Sequence, residues 1–174
     1  MDILEIFVST MGALLVASLI LHLDRRFTAI NEFNSGIIGM ETEIQITARR
    51  LVDLEDYVKE ELKNLDVNRA KGKHTIAPPV RLLQNSYDYC RIHGILFELP
   101  VDIQNAINRV YQISDFINEF IRRDFELFIQ SPNVSVDKVF SNKKLGDEGL
   151  LKLIEEHKNS RRDINLKQYM KKLF

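Results

Sequence analysis

The segment Ile6–Leu23, IFVSTMGALLVASLILHL, constrains the chain more than any other: eighteen residues without an Asp, Glu, Lys or Arg. Its one ionisable side chain is His22. As a helix rising about 1.5 Å per residue it reaches ~27 Å, close to the ~30 Å hydrocarbon core of a bilayer. Asp2 and Glu5 precede the run, and Asp24, Arg25 and Arg26 follow it. A cleaved secretory signal wants a basic start, a shorter apolar core and a small-x-small cleavage site. This start is acidic, and Ser18–Leu23 offers no such site. A buried core helix is the other alternative, because eighteen residues is at the short end for a span. The flanking charges favour a transmembrane anchor with flanks over residues 1–26. The juxtamembrane cations Arg25 and Arg26 follow the run and none precedes it, so the positive-inside rule puts the N-terminus outside. The expected localisation is the cell membrane, single-pass, with the C-terminal domain cytoplasmic.

Ser9, Ala13 and Ala17, flanked by Gly12, form a stripe of small residues along one side of this helix. Such a stripe permits close approach of a second membrane helix, although Gly and Ala are also simply common in spans.

About 150 residues remain, enough for one domain with a modest core. A formal net charge of −1 gives no bulk electrostatic case for nucleic acid as a partner. The single cysteine, Cys90, leaves no internal disulfide framework and fits a reducing compartment.

A second pattern starts at Ile30. Ile30, Phe33, Ile37, Met40, Ile44, Thr47, Leu51, Leu54 and Val58 alternate by three and four, continuing loosely through Leu62 and Leu65. Apolar positions repeating in this way predict a long amphipathic helix or coiled coil. Its seam, Ile30, Phe33, Ile37, Met40, Ile44, Leu51, Leu54 and Val58, is the expected helix-association face. The charged residues between, including Glu41, Glu43, Asp53 and Glu55, are expected on a solvated side. Asn34-Ser35-Gly36 and Gly39 weaken the helix near its start, and predict either a bend or a close packing point.

The segment Asn68–Thr75 and then Pro78-Pro79 predict a surface connection. A short helix is expected from Val80 to about His93, ended by Gly94. Ile95–Leu99 is expected as a buried connection, with Pro100 starting the next helix. Ile103, Ile107, Val110, Ile117, Ile121 and Phe128 mark that helix to about Gln130, and Ser131-Pro132 stops it. The expected fold class is all-α. A transmembrane helix leads into the long amphipathic helix, and helix 101–130 packs back on it as an antiparallel hairpin or bundle over residues 27–133. Residues 134–174 are expected as a basic helical tail with one helix over Asp147–Lys158. Asn133-Val-Ser135 matches a glycosylation acceptor that a cytoplasmic location would leave idle. Arg161, Arg162, Lys167, Lys171 and Lys172, interleaved with Ile164, Leu166, Tyr169 and Met170, suit anionic lipid or a protein partner, or a mobile or locally packed tail that keeps the protein soluble.

Phosphate loops, nucleotide fingerprints, HExxH and paired Cys-x-x-Cys motifs do not occur. Cys90 and His93 could supply two metal ligands, but two do not make a site. His74 and His157 fall in polar stretches and suggest no role. The residues point to no catalytic, metal or cofactor site and no enzyme.

The stretch Pro79–Tyr111, PVRLLQNSYDYCRIHGILFELPVDIQNAINRVY, carries a proline-led segment, an aromatic near a glycine, a Leu-Pro step and a long final helix. It resembles uncharacterised single-pass membrane-anchored helical proteins of bacteria and archaea, over about residues 5–130. The resemblance implies a fold and no catalytic residues. The function expected is a membrane-anchored helical scaffold or interaction protein. It self-associates as a homo-oligomer or joins other membrane-complex subunits, with the lipid bilayer as a further partner. The alternative is an accessory subunit of a channel, transporter or defence complex.

Overall fold

The apolar run and the heptad region are one uninterrupted helix. In the computed structural model, which describes residues 3–71, 82–130, 136–162 and 164–172, α1 runs from Ile3 to Ala70. The short α2 spans Asn85–Ile92, α3 spans Val101–Gln130 and α4 spans Val136–Arg161. Two 3-10 turns, Ile95–Glu98 and Leu166–Tyr169, complete the described structure. The connection around Pro78-Pro79, the stop at Ser131-Pro132 and the motif Asn133–Ser135 lie outside the described residues.

The heptad seam is buried, and the surfaces that bury it belong to the same chain. Phe33, Ile37, Met40 and Ile44 pack with Cys90, Ile95, Leu96, Ile103, Ile107, Val110 and Leu166 in one core cluster. Leu51, Leu54 and Val58 pack with Leu82, Ile113, Ile117, Ile121, Leu150 and Ile154 in the next. Thr47 is buried between these stretches and Ile30 is half-buried at the start. The seam is therefore an intramolecular core face rather than a surface left for association. Periodicity says that a face is covered, not by which chain.

The same clusters correct the expected hairpin. Residues 33–44 of α1 share a cluster with 103–111 of α3, and 51–58 share one with 113–121, so the two helices run parallel. Each downward pass is made by another element. Ser86 lies beside Glu43 and Cys90 beside Gly36, so α2 descends α1. Helix α4 descends as well: Lys143 pairs with Asp124, Arg109 with Glu156 and Lys158 with Glu55. The result is an up-down-up-down four-helix bundle with α1 and α3 diagonal across the core. Helix α4, which begins eleven residues before the expected Asp147, is a full member of it and no detached tail.

Of the two readings of the glycines in α1, close packing is the one observed. A Cβ added at Gly36 would fall 2.8 Å from Cys90 Sγ and 2.9 Å from Ile95 Cδ1, and one at Gly39 would fall 2.8 Å from Ser86 Oγ. The missing side chains let α2 lie directly on α1, which continues as one helix through both glycines. The thiol sealed behind Gly36 is fully buried, and burial pushes it up to about 11. We expect Cys90 to resist iodoacetamide in the folded protein at neutral pH and to alkylate readily in denaturant, a contrast that intact-mass measurement reads directly. Gly94 ends α2 with φ of +75°, a left-handed conformation that an L side chain adopts only under strain.

Two buried ionisable groups in α4 act in opposite directions on acidification. Desolvation, assisted by Arg161, pushes the His157 ring down to about 4. The unfolded chain takes up that proton near pH 6.5, so this group destabilises the fold as pH drops from 6.5 to 4. Desolvation pushes Asp147 up to about 6 against the pull of Lys143, so the folded chain gains its proton first and is stabilised between pH 6 and 3.8. The two effects largely offset one another. Replacing His157 with Gln removes one arm, so relative to wild type the variant should gain about 2 kcal/mol between pH 7 and 5 in paired urea titrations.

Candidate membrane interface

At the base of the bundle, α1 leaves the core and continues as a lone helix. Its residues from Phe7 to Ala29 are all exposed, and its most apolar eighteen-residue window has a mean hydropathy of 1.7 with none of it buried. This helix is long and apolar enough to cross a membrane. Ser9, Gly12, Ala13 and Ala17 lie on it with open space around them; a Cβ added at Gly12 would meet nothing within 4 Å. Arg25 and Arg26 are exposed just beyond the run.

The C-terminal strap returns to this base. Leu166 is fully buried in the lower core, and its N–H donates to Glu41 Oε2 at 3.2 Å. Farther down, the Asn34 amide engages both backbone groups of Lys171. The Asn34 amide donates to the Lys171 carbonyl at 2.9 Å, and the Lys171 N–H donates to Asn34 Oδ1 at 2.8 Å. The Lys171 ammonium pairs with Glu98 and stands 4.2 Å from the centre of the Phe33 ring. The strap descends beside α1, and it divides the five cations predicted as a tail site. Lys171 and Lys172 reach the base, Lys167 sits near the level of Glu41, and Arg161 and Arg162 close α4. Of the readings the sequence leaves open for this end, the locally packed one describes the strap.

The base also exposes apolar side chains that sequence reasoning missed. Ile92 at the end of α2 is 75% exposed, Phe97 in the first 3-10 turn 68% and Val101 at the start of α3 69%. With Leu145 on α4, these are the most exposed large apolar side chains of the described bundle. Ile95, Leu96 and Leu99 bear out the expected buried connection, whereas Phe97 between them faces out. The turn buries Ile95 and Leu96, with Leu99 just after it, and leaves Phe97 and Glu98 outside, a geometry that the apolar character of Phe97 does not reveal.

Higher up, Glu43 is the polar centre of the core, not part of the solvated side expected for it. Its carboxylate accepts from the Ser86 N–H at 2.8 Å, the Tyr87 N–H at 3.4 Å and the Tyr111 hydroxyl at 3.1 Å. It caps α2 from a neighbouring helix, where Gln84 supplies no side-chain cap of its own. The Tyr111 ring stacks on Tyr87 at 4.3 Å, and Tyr87 donates to Asn108 Oδ1 at 2.8 Å. Desolvation, with Glu43 adding to it, pushes the Tyr111 hydroxyl well above its ordinary range. These contacts give the Ser86, Tyr87 and Tyr111 donors an acceptor in Glu43, and a shallow pocket lined by Ser35, Gly36, Asn85, Ser86 and Tyr89 opens beside them. Cys90 and His93 do not converge, since the thiol is in the core while the His93 ring lies tilted against Tyr89, centroids 4.2 Å apart, on the outside.

Comparison of the chain with protein-family models, with curated proteins and with solved structures gives no match. The resemblance over residues 5–130 therefore rests on its quoted residues alone.

Proposed function

We propose that this chain is a single-pass, membrane-anchored interaction protein. Its N-terminal helix holds a four-helix bundle at the cytoplasmic surface, and the span carries its association with a second copy. The carrying observation is the continuity of α1, apolar and wholly exposed over its first part and buried in the bundle core over its second. An apolar helix with no covering surface among the described residues calls for lipid or another helix around it. Because the heptad seam is occupied internally, association falls to the span, where Ser9, Ala13 and Ala17 permit close helix approach.

Alkaline carbonate extraction of membranes from expressing cells tests the anchor. Wild type should stay in the pellet, and Val16→Arg should shift it toward the supernatant, since an arginine at mid-span costs about 2.5–3.5 kcal/mol on the insertion scale. Release of wild type by carbonate would overturn the anchor. Association is tested by mass in mild detergent. A multiple of the 20.3 kDa chain that falls to one chain on Ala13→Leu supports the proposal, and isolated monomers with no partner would sink it.

A further inference from the structure

We infer that the base of the bundle is itself a lipid-contact surface, seated on the leaflet beside the anchor through Ile92, Phe97 and Val101. This rests on the anchor proposed above. Three of the four most exposed large apolar side chains of the described bundle gather at the one end from which the apolar helix departs. Chance placement over a bundle surface does not favour that end, and apolar tips around a membrane helix are well placed to enter the headgroup layer.

The spacing agrees. Tyr111 lies opposite Glu43, and α1 and α3 rise together, so Val101 is level with Phe33. Phe33 stands ten residues beyond Leu23, about 15 Å along the helix. The headgroup zone fills roughly 5–7 Å of that height. Phe97 precedes α3 on the exposed side of the turn and Lys172 follows the Asn34 clamp, so both belong to this lower end, and the ~20° tilt common for single spans lowers one flank further.

Charge makes a smaller contribution than the apolar tips. Glu98 is paired with Lys171 and Asp88 with Arg91, which sets Arg25, Arg26 and Lys172 against Asp24, Glu32 and Asp102 at this end. That balance gives no strong demand for anionic lipid. Contact is therefore expected with zwitterionic as well as anionic bilayers, unlike the salt-sensitive binding of a purely basic tail.

The test uses the full chain in phosphatidylcholine vesicles, with or without phosphatidylserine, and an environment-sensitive label. Because Cys90 is buried, single substitutions Phe97→Cys and Ile92→Cys can be labelled in the folded protein, with Leu145→Cys as the control high on α4. Lipids bearing a headgroup nitroxide should quench the Phe97→Cys and Ile92→Cys labels at least twofold, and leave the Leu145→Cys label unchanged, in both lipid mixtures. Equal, weak quenching at all three sites in carbonate-resistant protein would overturn the lipid contact and leave the anchor standing. A label shielded from water but not quenched would also overturn it, in favour of a protein occupant. Carbonate release of the wild-type chain would remove the anchor and this contact together.

Discussion

Replacing Lys143 with alanine is expected to cost about 3–5 kcal/mol of stability, the range found when one partner of a buried ion pair is removed. Lys143 joins α4 to α3 inside the upper bundle, 3.4 Å from Asp147 Oδ1 and 3.6 Å from Asp124 Oδ2, and all three residues are buried. The cluster is already short of positive charge. Asp124 Oδ2 and Asp147 Oδ2 have no hydrogen bond among the described residues, and burial already holds Asp147 near 6. Without the ammonium, two carboxylates face each other in a low-dielectric site, and at least one must take a proton to remain there. Two features separate this from ordinary loss of packing. The deficit should shrink as pH falls from 7 to 5, because protonation relieves it. The triple variant K143M/D124L/D147L should be at least as stable as wild type, as apolar replacement of complete buried ion clusters often is. Urea unfolding of the three proteins at both pH values checks both. A pH-independent loss below about 1 kcal/mol for Lys143→Ala would show that the charges are effectively solvated.

Glu43→Ala should rank next. It strands the Ser86 and Tyr87 N–H groups and the Tyr111 hydroxyl in the core, and a buried polar group left unmatched costs about 1–3 kcal/mol. It also removes the side-chain carboxylate that accepts the first N–H groups of α2. Glu43→Gln keeps an acceptor and the shape, so it should retain most of the stability lost by the alanine variant. Amide exchange locates the effect: protection should fall first over Asn85–Ile92, ahead of α3 and α4. Uniform loss across all four helices would mean that Glu43 does not hold α2 separately.

The elements that were legible in the sequence are those whose signal is local. The heptads from Phe33 to Val58, the stop at Gly94 and the bounds of α3 follow from side-chain period and backbone preference within a few residues. What could not be read locally was direction and partnership. The length of the connection between α1 and α3 allows a hairpin, but the eight-residue α2 uses it for a pass of its own and turns α3 parallel to α1. Helix α4 was underestimated because three of its buried positions are Lys143, Asp147 and His157, which blunt any apolar stripe. Polar residues at core positions are compatible with a helix only when another helix supplies their partners, and those lie far off in sequence.

The candidate interface divides in the same way. The exposed apolar helix was legible from composition. The clamp between Asn34 and Lys171 joins residues 137 apart, and nothing near either position foretells it. Asn34 instead carried the local signal of a helix-weakening residue. Exposure of Ile92, Phe97 and Val101 depends on how the 3-10 turn seats between helices, which is a property of the assembled bundle.

The unbroken α1 has one more consequence. At 68 residues it is a rod about 100 Å long, and the bundle is built around its upper part with no hinge between. The side of the lower helix that carries Ser9 and Ala13 is therefore locked in angular phase with every face of the bundle above. One residue inserted between Arg26 and Ile30 would turn the two halves by about 100° relative to each other, whereas four would leave them only about 40° apart. In an assembly of such chains, the choice of neighbour below fixes which bundle surfaces meet above.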